Sequence, residues 1–401
     1  MAKVTKKPIS LKEKLGALEL STGITGRKVL ASNRPHEAQA ALGVGRRNII
    51  INGDMRIAQR YVTNSRGGGA DFACDRFLCN SPYANFTVSR ENGGPSGFSN
   101  YLKYQADGDS TLGSNHDPWI RYTVEADDMK CLDWDNSDTP KMAVISFWAS
   151  ASIAGQYSFA ITSGNFSATQ VIYPYTITKE NEWQKFEFKI RGPRNTAMIS
   201  GDFGLRLYWA MGAGSNYTIG NVNVGQWLTS GNFAVDGSVQ IHGRSGQHFS
   251  LTGVQMEVGE VATPFEHKPI GEELALCQRY FYKLTESYQG DITLQTALAP
   301  NTDHGISMIA VWDNTNCYGV VHHPVSMRTS PSISQKPGIS EANSFKLYSA
   351  GLSQNTADYK QMGSSELRSE LVWEYSGSFT IGNSGWVRLQ NDSELWFDAE
   401  F

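Results

Sequence analysis

A chain of 401 residues is longer than one ordinary core serves, so two or three domains are expected. Hydrophobic content of 40% with 11% aromatics excludes a disordered chain, and 39 glycines beside only 18% charged residues favour short strands and tight turns over long surface helices. A net charge of −4 offers no basic field to a nucleic-acid backbone, which excludes DNA and RNA as expected partners.

The opening MAKVTKKPISLKEK is basic but lacks the apolar segment of a signal peptide. No run approaches the ~20 apolar residues of a membrane span, so a chain made in a cytoplasm without membrane insertion is expected. Leu11, Leu15 and Leu18 share one helical face, too short to hold alone, and are expected to dock on another chain or a larger assembly. In residues 21–47, Ser32 or Asn33 caps a second short helix, Pro35 fits its first turn and Gly43 ends it. Its patch of Ala38, Ala41 and Leu42 is again too small to stand unaided. Residues 1–47 therefore read as an attachment segment.

Residues 48–267 read as one β-sandwich. NIIINGDM gives an apolar strand ended by an Asn-Gly turn, and alternation marks strands at 141–151, 155–164, 169–178, 182–191, 203–212 and 248–258. GGG, SGNF, RGPRN and GAGSN supply turns. Strands joined by turns, without helical periodicity, imply two sheets face to face, with Ala143, Ile145 and Phe147 inside. The polar stretch from Ala84 to Trp134 reads as long loops or an inserted hairpin. Residues 268–284 form a linker: Pro269 and Gly271 precede a helix from about Glu272 to Tyr282. Leu274, Leu276, Cys277, Tyr280 and Phe281 recur at three- and four-residue steps, giving it one apolar face that docks on its neighbours. Residues 285–401 form a second β unit, with strands in HGISMIAVW, GVVHHPVSM, SFKLYSA, ELVWEYSGSF, GWVRLQ and SELWFDAEF. Leu395, Trp396, Phe397 and Phe401 should be tied into a sheet or an interface. The fold class is mainly β: two jelly-roll-like sandwiches joined by a short helix, with a small helical segment in front.

Catalytic signatures are missing: there is no GxSxG, HExxH or Walker loop, and the chain is expected not to be an enzyme. The five cysteines, Cys74, Cys79, Cys131, Cys277 and Cys317, form no CxxC and read as buried free thiols. His322 and His323, adjacent on a strand, point to opposite faces and cannot share a metal. His242 and His248, near Arg244, read as turn-surface residues before site residues. Asp127, Asp128, Asp133, Asp135 and Asp138 read as a solvated loop sooner than a Ca²⁺ site, and Asp54 or Glu257 as candidates for a structural calcium that is not expected. No cofactor or metal follows. Aromatics are more telling, since sugars stack on Trp and Tyr while rim polar groups bond their hydroxyls. Tyr173 and Tyr175 lie on one strand face, and Arg206 and Tyr208 face away from Leu205, Leu207 and Trp209; these four are the candidate ligand-binding residues.

The run LTGVQMEVGEVATPFEHKPIGEELALCQRYF resembles a segment of tail-fibre and related receptor-binding proteins of tailed bacteriophages. GRKVLASNRPHEAQAALGVG is similar to an element of phage fibre proteins near the shaft, except that Arg34, Pro35 and His36 stand where alanines are usual. HPVSMRTSPSIS and the ending WFDAEF resemble the distal domain of such fibres. NIIINGDM, ISFWASASIAGQYSFAI, EWQKFEFKI and LTGVQMEVG resemble a jelly roll of the carbohydrate-binding-module type. The resemblance implies a non-enzymatic virion protein, a tail fibre adhering as a homotrimer to host cell-surface polysaccharide, joined to other phage tail or virion proteins through residues 1–47. Two alternatives stand beside it: a head, neck or tail decoration protein without receptor role, and a glycan-degrading tailspike with a carboxylate pair within 84–138. No short repeat of a β-helix supports the latter.

Overall fold

The computed structural model describes residues 47–66, 69–81, 85–163, 169–220, 224–285, 306–311, 316–336, 345–349, 352–356, 359–374, 384–389 and 394–401. The two helices expected within residues 1–47 lie outside these.

In chain order the first unit contains β1 (Thr63–Arg66), β2 (Gly69–Cys74), β3 (Phe77–Ser81), β4 (Phe86–Asn92), β5 (Asn100–Ala106), β6 (Trp119–Glu125), a single helical turn α1 (Ala126–Met129), β7 (Met142–Ala151), β8 (Gly155–Ser163), β9 (Thr169–Ile177), β10 (Gln184–Arg191), β11 (Phe203–Ala210), β12 (Thr218–Ile219), β13 (Leu228–Thr229), β14 (Ala234–Val235) and β15 (His248–Val258). One antiparallel sheet runs β1-β4-β5-β15-β7-β10, and the second runs β13-β9-β8-β11-β6-β3-β2. Alternation decides which face is buried. Ala143, Ile145, Phe147 and Ala149 of β7 point inward, as do Leu102 and Tyr104, and meet Phe159, Ile161, Leu205, Leu207 and Trp209 of the opposite sheet in one core. Phe147 lies 5.5 Å from both Phe159 and Trp209, ring centre to ring centre. Residues 211–220 and 224–238 fold over the outer face of the second sheet, where Phe233, Ala234 and Val235 cover Tyr208, Ile172 and Ala160 in a smaller core.

The stretch expected as loops between Ala84 and Trp134 instead supplies β4, β5 and β6, all integral strands. Their polar character belongs to the solvent faces alone: Phe86 and Val88, Leu102 and Tyr104, and Ile120, Tyr122 and Val124 are buried. NIIINGDM is not a strand. Ile49, Ile50 and Ile51 are buried as an irregular segment beside β15, secured by the buried Asn48 side chain. Its Nδ2 donates to the Val254 carbonyl, and its Oδ1 accepts from the amides of Ile50 and Met256.

The linker helix α2 spans Ile270–Gln278 and stops short of its expected end. Phe281 and Tyr282 leave it for β16 (Phe281–Thr285), because they pair with the chain's final strand. The apolar face divides accordingly. Leu274, Cys277 and Tyr280 pack with Ile51 and Ile57 of the first unit, while Phe281 meets Trp396.

The second unit contains β17 (Ile306–Val311), β18 (Asn316–His322), β19 (Ser332–Gln335), β20 (Phe345–Ser349), β21 (Leu352–Thr356), β22 (Tyr359–Ser364), β23 (Arg368–Glu374), β24 (Ser384–Leu389) and β25 (Glu394–Asp398). Its larger sheet runs β21-β20-β24-β17-β18-β23-β22, and a smaller one runs β16-β25-β19. Tyr282, Leu395 and Phe397 of the smaller sheet share a core with Val321, Leu371 and Trp373 of the larger. The architecture is thus mainly β, in antiparallel sandwiches joined by one short helix.

The two units are fastened by charge as well as by apolar contact. The buried Arg60 and Arg76, from the first unit, meet Asp398 and Glu400 from the second: Arg60 Nη2 is 2.8 Å from Asp398 Oδ2, and Arg76 pairs with Glu400. Arg279 Nη2 lies 2.6 Å from Glu125 Oε1, and Arg328 Nη1 lies 3.0 Å from Asp202 Oδ2.

Candidate functional site

The outer face of the first sheet carries a run of half-buried aromatic side chains. Because side chains alternate along a strand, the residues between the core positions of β5, β7 and β15 all emerge on that face. On β5 these are Tyr101, Lys103 and Gln105; on β7, Ser146, Trp148 and Ser150; on β15, His248, Ser250 and Thr252. Register sets them in rows. Ser89, Lys103, Ser250 and Ser150 follow one another across four strands, and Thr252 stands opposite Trp148 in the next row.

The serines lie flush with the sheet, so taller side chains form a wall along one end. Trp183, just before β10, meets Tyr101 edge to face with ring centres 5.3 Å apart. Gly253, in the left-handed region at φ 62°, carries no side chain because the rings of Trp148 and Phe98 occupy the space a Cβ would need. A register shift between Thr252 and Gln255 marks a bulge of β15 at this point. Phe98 in turn meets Phe265 at 5.0 Å and His267 at 5.4 Å. Tyr101, Trp148, Trp183, Phe98 and Phe265 are each half-buried, leaving part of every ring accessible.

Polar groups border this strip. Gln105 Nε2 donates to Asp107 at 3.3 Å, and Thr87 Oγ1 donates to the other oxygen of the same carboxylate at 2.5 Å. Burial, and then the neighbouring Lys103 charge, hold the imidazole of His248 below its ordinary pKa, so it is neutral at pH 7. Burial first, then Glu91, raises the Tyr101 hydroxyl, which keeps its proton. The face therefore combines flat apolar rings with neutral donors and acceptors and one lysine. That combination can stack on the apolar side of a sugar ring and bond its hydroxyls.

The four residues expected from the sequence fall elsewhere. Tyr175 is buried in the main core, 4.6 Å from Phe186 ring to ring, and Tyr173 is half-buried against Phe188 at 5.2 Å. Both point inward, since β9 turns this face, with Val171 and Ile177, to the other sheet. Arg206 and Tyr208 do face outward, away from Leu205, Leu207 and Trp209, yet Tyr208 is fully buried under the covering segment. The two pairs lie on opposite faces of one sheet and make no common site. The Tyr101, Trp148 and Trp183 strip was missed, although the alternation of MAVISFWASA and NYLKYQA puts Trp148 and Tyr101 on solvent faces.

His242, expected at a turn surface, is buried: its Nδ1 lies 3.1 Å from Tyr104 Oη and 3.2 Å from Ser81 Oγ. His323 is half-buried between Tyr282 and Ser369 while His322 is exposed, consistent with opposite faces. Cys74, Cys79 and Cys277 are buried free thiols, but Cys131 is exposed, on the 3-10 turn after α1. Asp54 pairs with Arg56 at 2.5 Å, and Glu257 accepts from Gln255 and Thr263. Asp135 caps the amides of Met198 and Ile199, and Asp127 pairs with Lys130. Among the described residues, no group of three or more His, Cys, Asp or Glu converges as a metal site.

No protein-family model matches the chain, and no curated protein matches it significantly. Among solved structures, it is similar to the enzymatically active domain of tailspike protein 4 of bacteriophage CBA120, at 10% identity and a TM-score of 0.27 over 53% of this chain and 21% of that one. It is also similar to TmCBM61 solved with β-1,4-galactotriose, at 11% identity and a TM-score of 0.26 over 53% of this chain and 100% of that one. The tandem CBM22-1–CBM22-2 domain of Paenibacillus barcinonensis Xyn10C covers 88% of this chain and 97% of its own length, at 9% identity and a TM-score of 0.27. The chain thus spans about a fifth of the tailspike domain's length.

Proposed function

We propose that this protein is a non-catalytic glycan-binding protein whose first sandwich holds neutral sugar on the outer face of β5, β15 and β7. The observation that carries it is the aromatic strip of Trp183, Tyr101, Trp148, Phe98 and Phe265 standing beside a floor of serines. Half-buried rings along one sheet face, beside a polar floor, suit a saccharide. Trp148 and Tyr101 would stack on sugar rings, and Lys103, Gln105 and Ser150 would bond hydroxyls. The resemblance of residues 26–45, 251–281 and 322–332 to phage fibre proteins supports placing the activity on a virion, as host attachment by a homotrimeric tail fibre with residues 1–47 as its anchor. Several weak sites per trimer would then act together through effective concentration. A decoration protein would share the sandwich but would not need the sugar site.

The test is a glycan array followed by titration of the best ligand. Trp148→Ala is expected to weaken binding by roughly five- to thirtyfold, as loss of a stacked ring removes about 1–2 kcal/mol. Unchanged affinity, with circular dichroism like the parent's, would reject this face. Native mass decides the assembly: about three times 44.2 kDa supports the trimeric fibre, and a monomer counts against it.

A further inference from the structure

Three connections of the first unit meet beside the bulge of β15: the turn at 51–56, the turn at 93–99 and the extended segment 263–269 that leads into α2. The last of these is pinned through alternate residues. The Glu266 carboxylate accepts from the Arg47 and Asn48 amides at 3.0 and 2.7 Å, and the Glu266 amide donates to Gln255 Oε1 at 2.9 Å. Lys268 is buried, and its carbonyl accepts from Arg56 Nη2 at 2.7 Å. Side chains alternate along extended chain, so with Glu266 and Lys268 turned to the protein, Phe265 and His267 turn outward. Their rings close a triangle with Phe98: Phe98 lies 5.0 Å from Phe265 and 5.4 Å from His267, and Phe265 lies 4.8 Å from His267. His267 is the exposed corner of the three, at one end of the aromatic strip.

Behind the imidazole stands a carboxylate. Asp54 is 3% exposed, and its Oδ2 lies 3.7 Å from His267 Nδ1 and 2.5 Å from Arg56 Nε. Its Oδ1 is buried with no hydrogen-bond partner among the described residues. Arg56 thus fixes the carboxylate, which turns one edge of the imidazole toward itself. A negative charge beside Nδ1 favours the tautomer with its hydrogen there, and the other ring nitrogen then carries the lone pair. That nitrogen, Nε2, sits across the ring and makes no hydrogen bond among the described residues. An acceptor of set direction therefore faces water at the edge of an apolar strip. Stacking rewards any sugar with an apolar face and separates epimers poorly. A fixed hydrogen-bonding group does separate them, since an epimer whose hydroxyl points elsewhere leaves it unpaired.

We infer that His267 is the specificity-determining residue of the glycan strip: its Nε2 accepts from one sugar hydroxyl, and Asp54 is the positioning residue that sets its tautomer and orientation. The inference rests on the glycan-binding function proposed above. Phe98 and Phe265 hold the imidazole from two sides before a ligand arrives, so little rotamer freedom is lost on binding. The strip then has a division of labour, with Trp148 and Tyr101 supplying affinity and His267 choosing among sugars of like shape.

The test is calorimetric titration of the full chain with cellohexaose, mannohexaose and β-1,4-galactohexaose, whose sugars differ from glucose at one hydroxyl-bearing carbon or none. The parent is expected to prefer one of them by roughly threefold or more. His267→Phe, which keeps the ring contacts, should weaken that one by roughly three- to tenfold, the size of one neutral hydrogen bond, and level the preference. His267→Gln, which restores an acceptor, should recover part of it, whereas a purely structural role would show no such rescue. Trp148→Ala should weaken all three alike. Nitrogen-15 NMR of the histidine-labelled chain at pH 8 should find the His267 hydrogen on Nδ1, with that bias lost in Asp54→Asn; thermal melts check that each variant folds. Hydrogen on Nε2 in the parent would overturn the part given to Asp54. Equal binding of the three by the parent, or a preference that survives His267→Phe, overturns the assignment and leaves the Trp148 strip standing. Binding of none overturns it too, and a blank glycan array beside that result removes the glycan reading as well.

Discussion

At the scale of single residues, buried polar groups do most of the specifying. Asn48 is 1% exposed and spends its amide on three backbone groups of the segment beside β15. Replacing it with alanine strands one carbonyl and two amides, and is expected to cost about 2–4 kcal/mol, read as a lower urea midpoint of the first unit. Gly53 is equally constrained, because a Cβ there would overlap the Val254 carbonyl. His242 makes a pH-dependent contribution. Its ring meets the hydroxyls of Ser81 and Tyr104, and burial, then His116, pushes its pKa from 6.5 down to about 4. The unfolded chain therefore binds a proton between pH 6.5 and 4 that the folded chain does not, so stability falls as pH drops through that window. The melting temperature should decline on going from pH 7 to pH 5, and His242→Gln should flatten that decline. An equal slope in the variant would exclude His242 as the source.

At the scale of elements, α2 is a nine-residue helix whose stability comes from what it touches. Leu274 and Cys277 pack on Ile51 and Ile57, and the buried Glu273 accepts from the Asn52 amide and approaches Lys268 at 3.5 Å. Leu274→Ala should destabilise the protein by about 2–4 kcal/mol, seen as a lower thermal midpoint with little change in secondary structure. Much of this was legible beforehand. β7 to β11 and β15 were located to within two residues at most termini, since strict alternation over eight or more residues has no competing interpretation. β1 to β6 were harder. They are short, carry Thr, Asn, Asp and Arg on the water side, and enclose charged residues such as Asp71, Asp75 and Arg76 whose burial depends on distant partners. The end of α2 was misjudged for a similar reason: Phe281 and Tyr282 fit a helical face, but pairing with β25 prevails. The candidate site divides along the same line. Strand faces could be read for Trp148 and Tyr101, whereas the cover that buries Tyr208 comes from a segment with no regular pattern.

At the scale of the whole molecule, the two units are tied by buried ions. Arg76 and Glu400 are among the most enclosed of these, and burial lifts the Glu400 carboxyl above its usual range despite both arginines. Such pairs fix geometry more than they add stability, because desolvation offsets attraction. Glu400→Ala, which leaves Arg76 buried with its countercharge removed, should cost about 3–5 kcal/mol, while Arg76→Met combined with Glu400→Leu should recover most of it. Urea titration of the three variants measures this, and a double variant no better than the single would show that the ions themselves are indispensable.

The same pairing has a consequence in time. Arg76 and Glu400 are 324 residues apart, so at about 5–20 residues per second a ribosome adds the acid roughly 16–65 s after the base. For that interval the first sandwich has its strands and its core but not the carboxylates that neutralise Arg60 and Arg76. Its seam face therefore stays hydrated, with Arg60, Arg76, Glu125 and Asp202 all without their partners, while the rest is made. A chain interrupted in synthesis would display these groups uncovered, Arg60 and Arg76 among them, which distinguishes it chemically from a finished one.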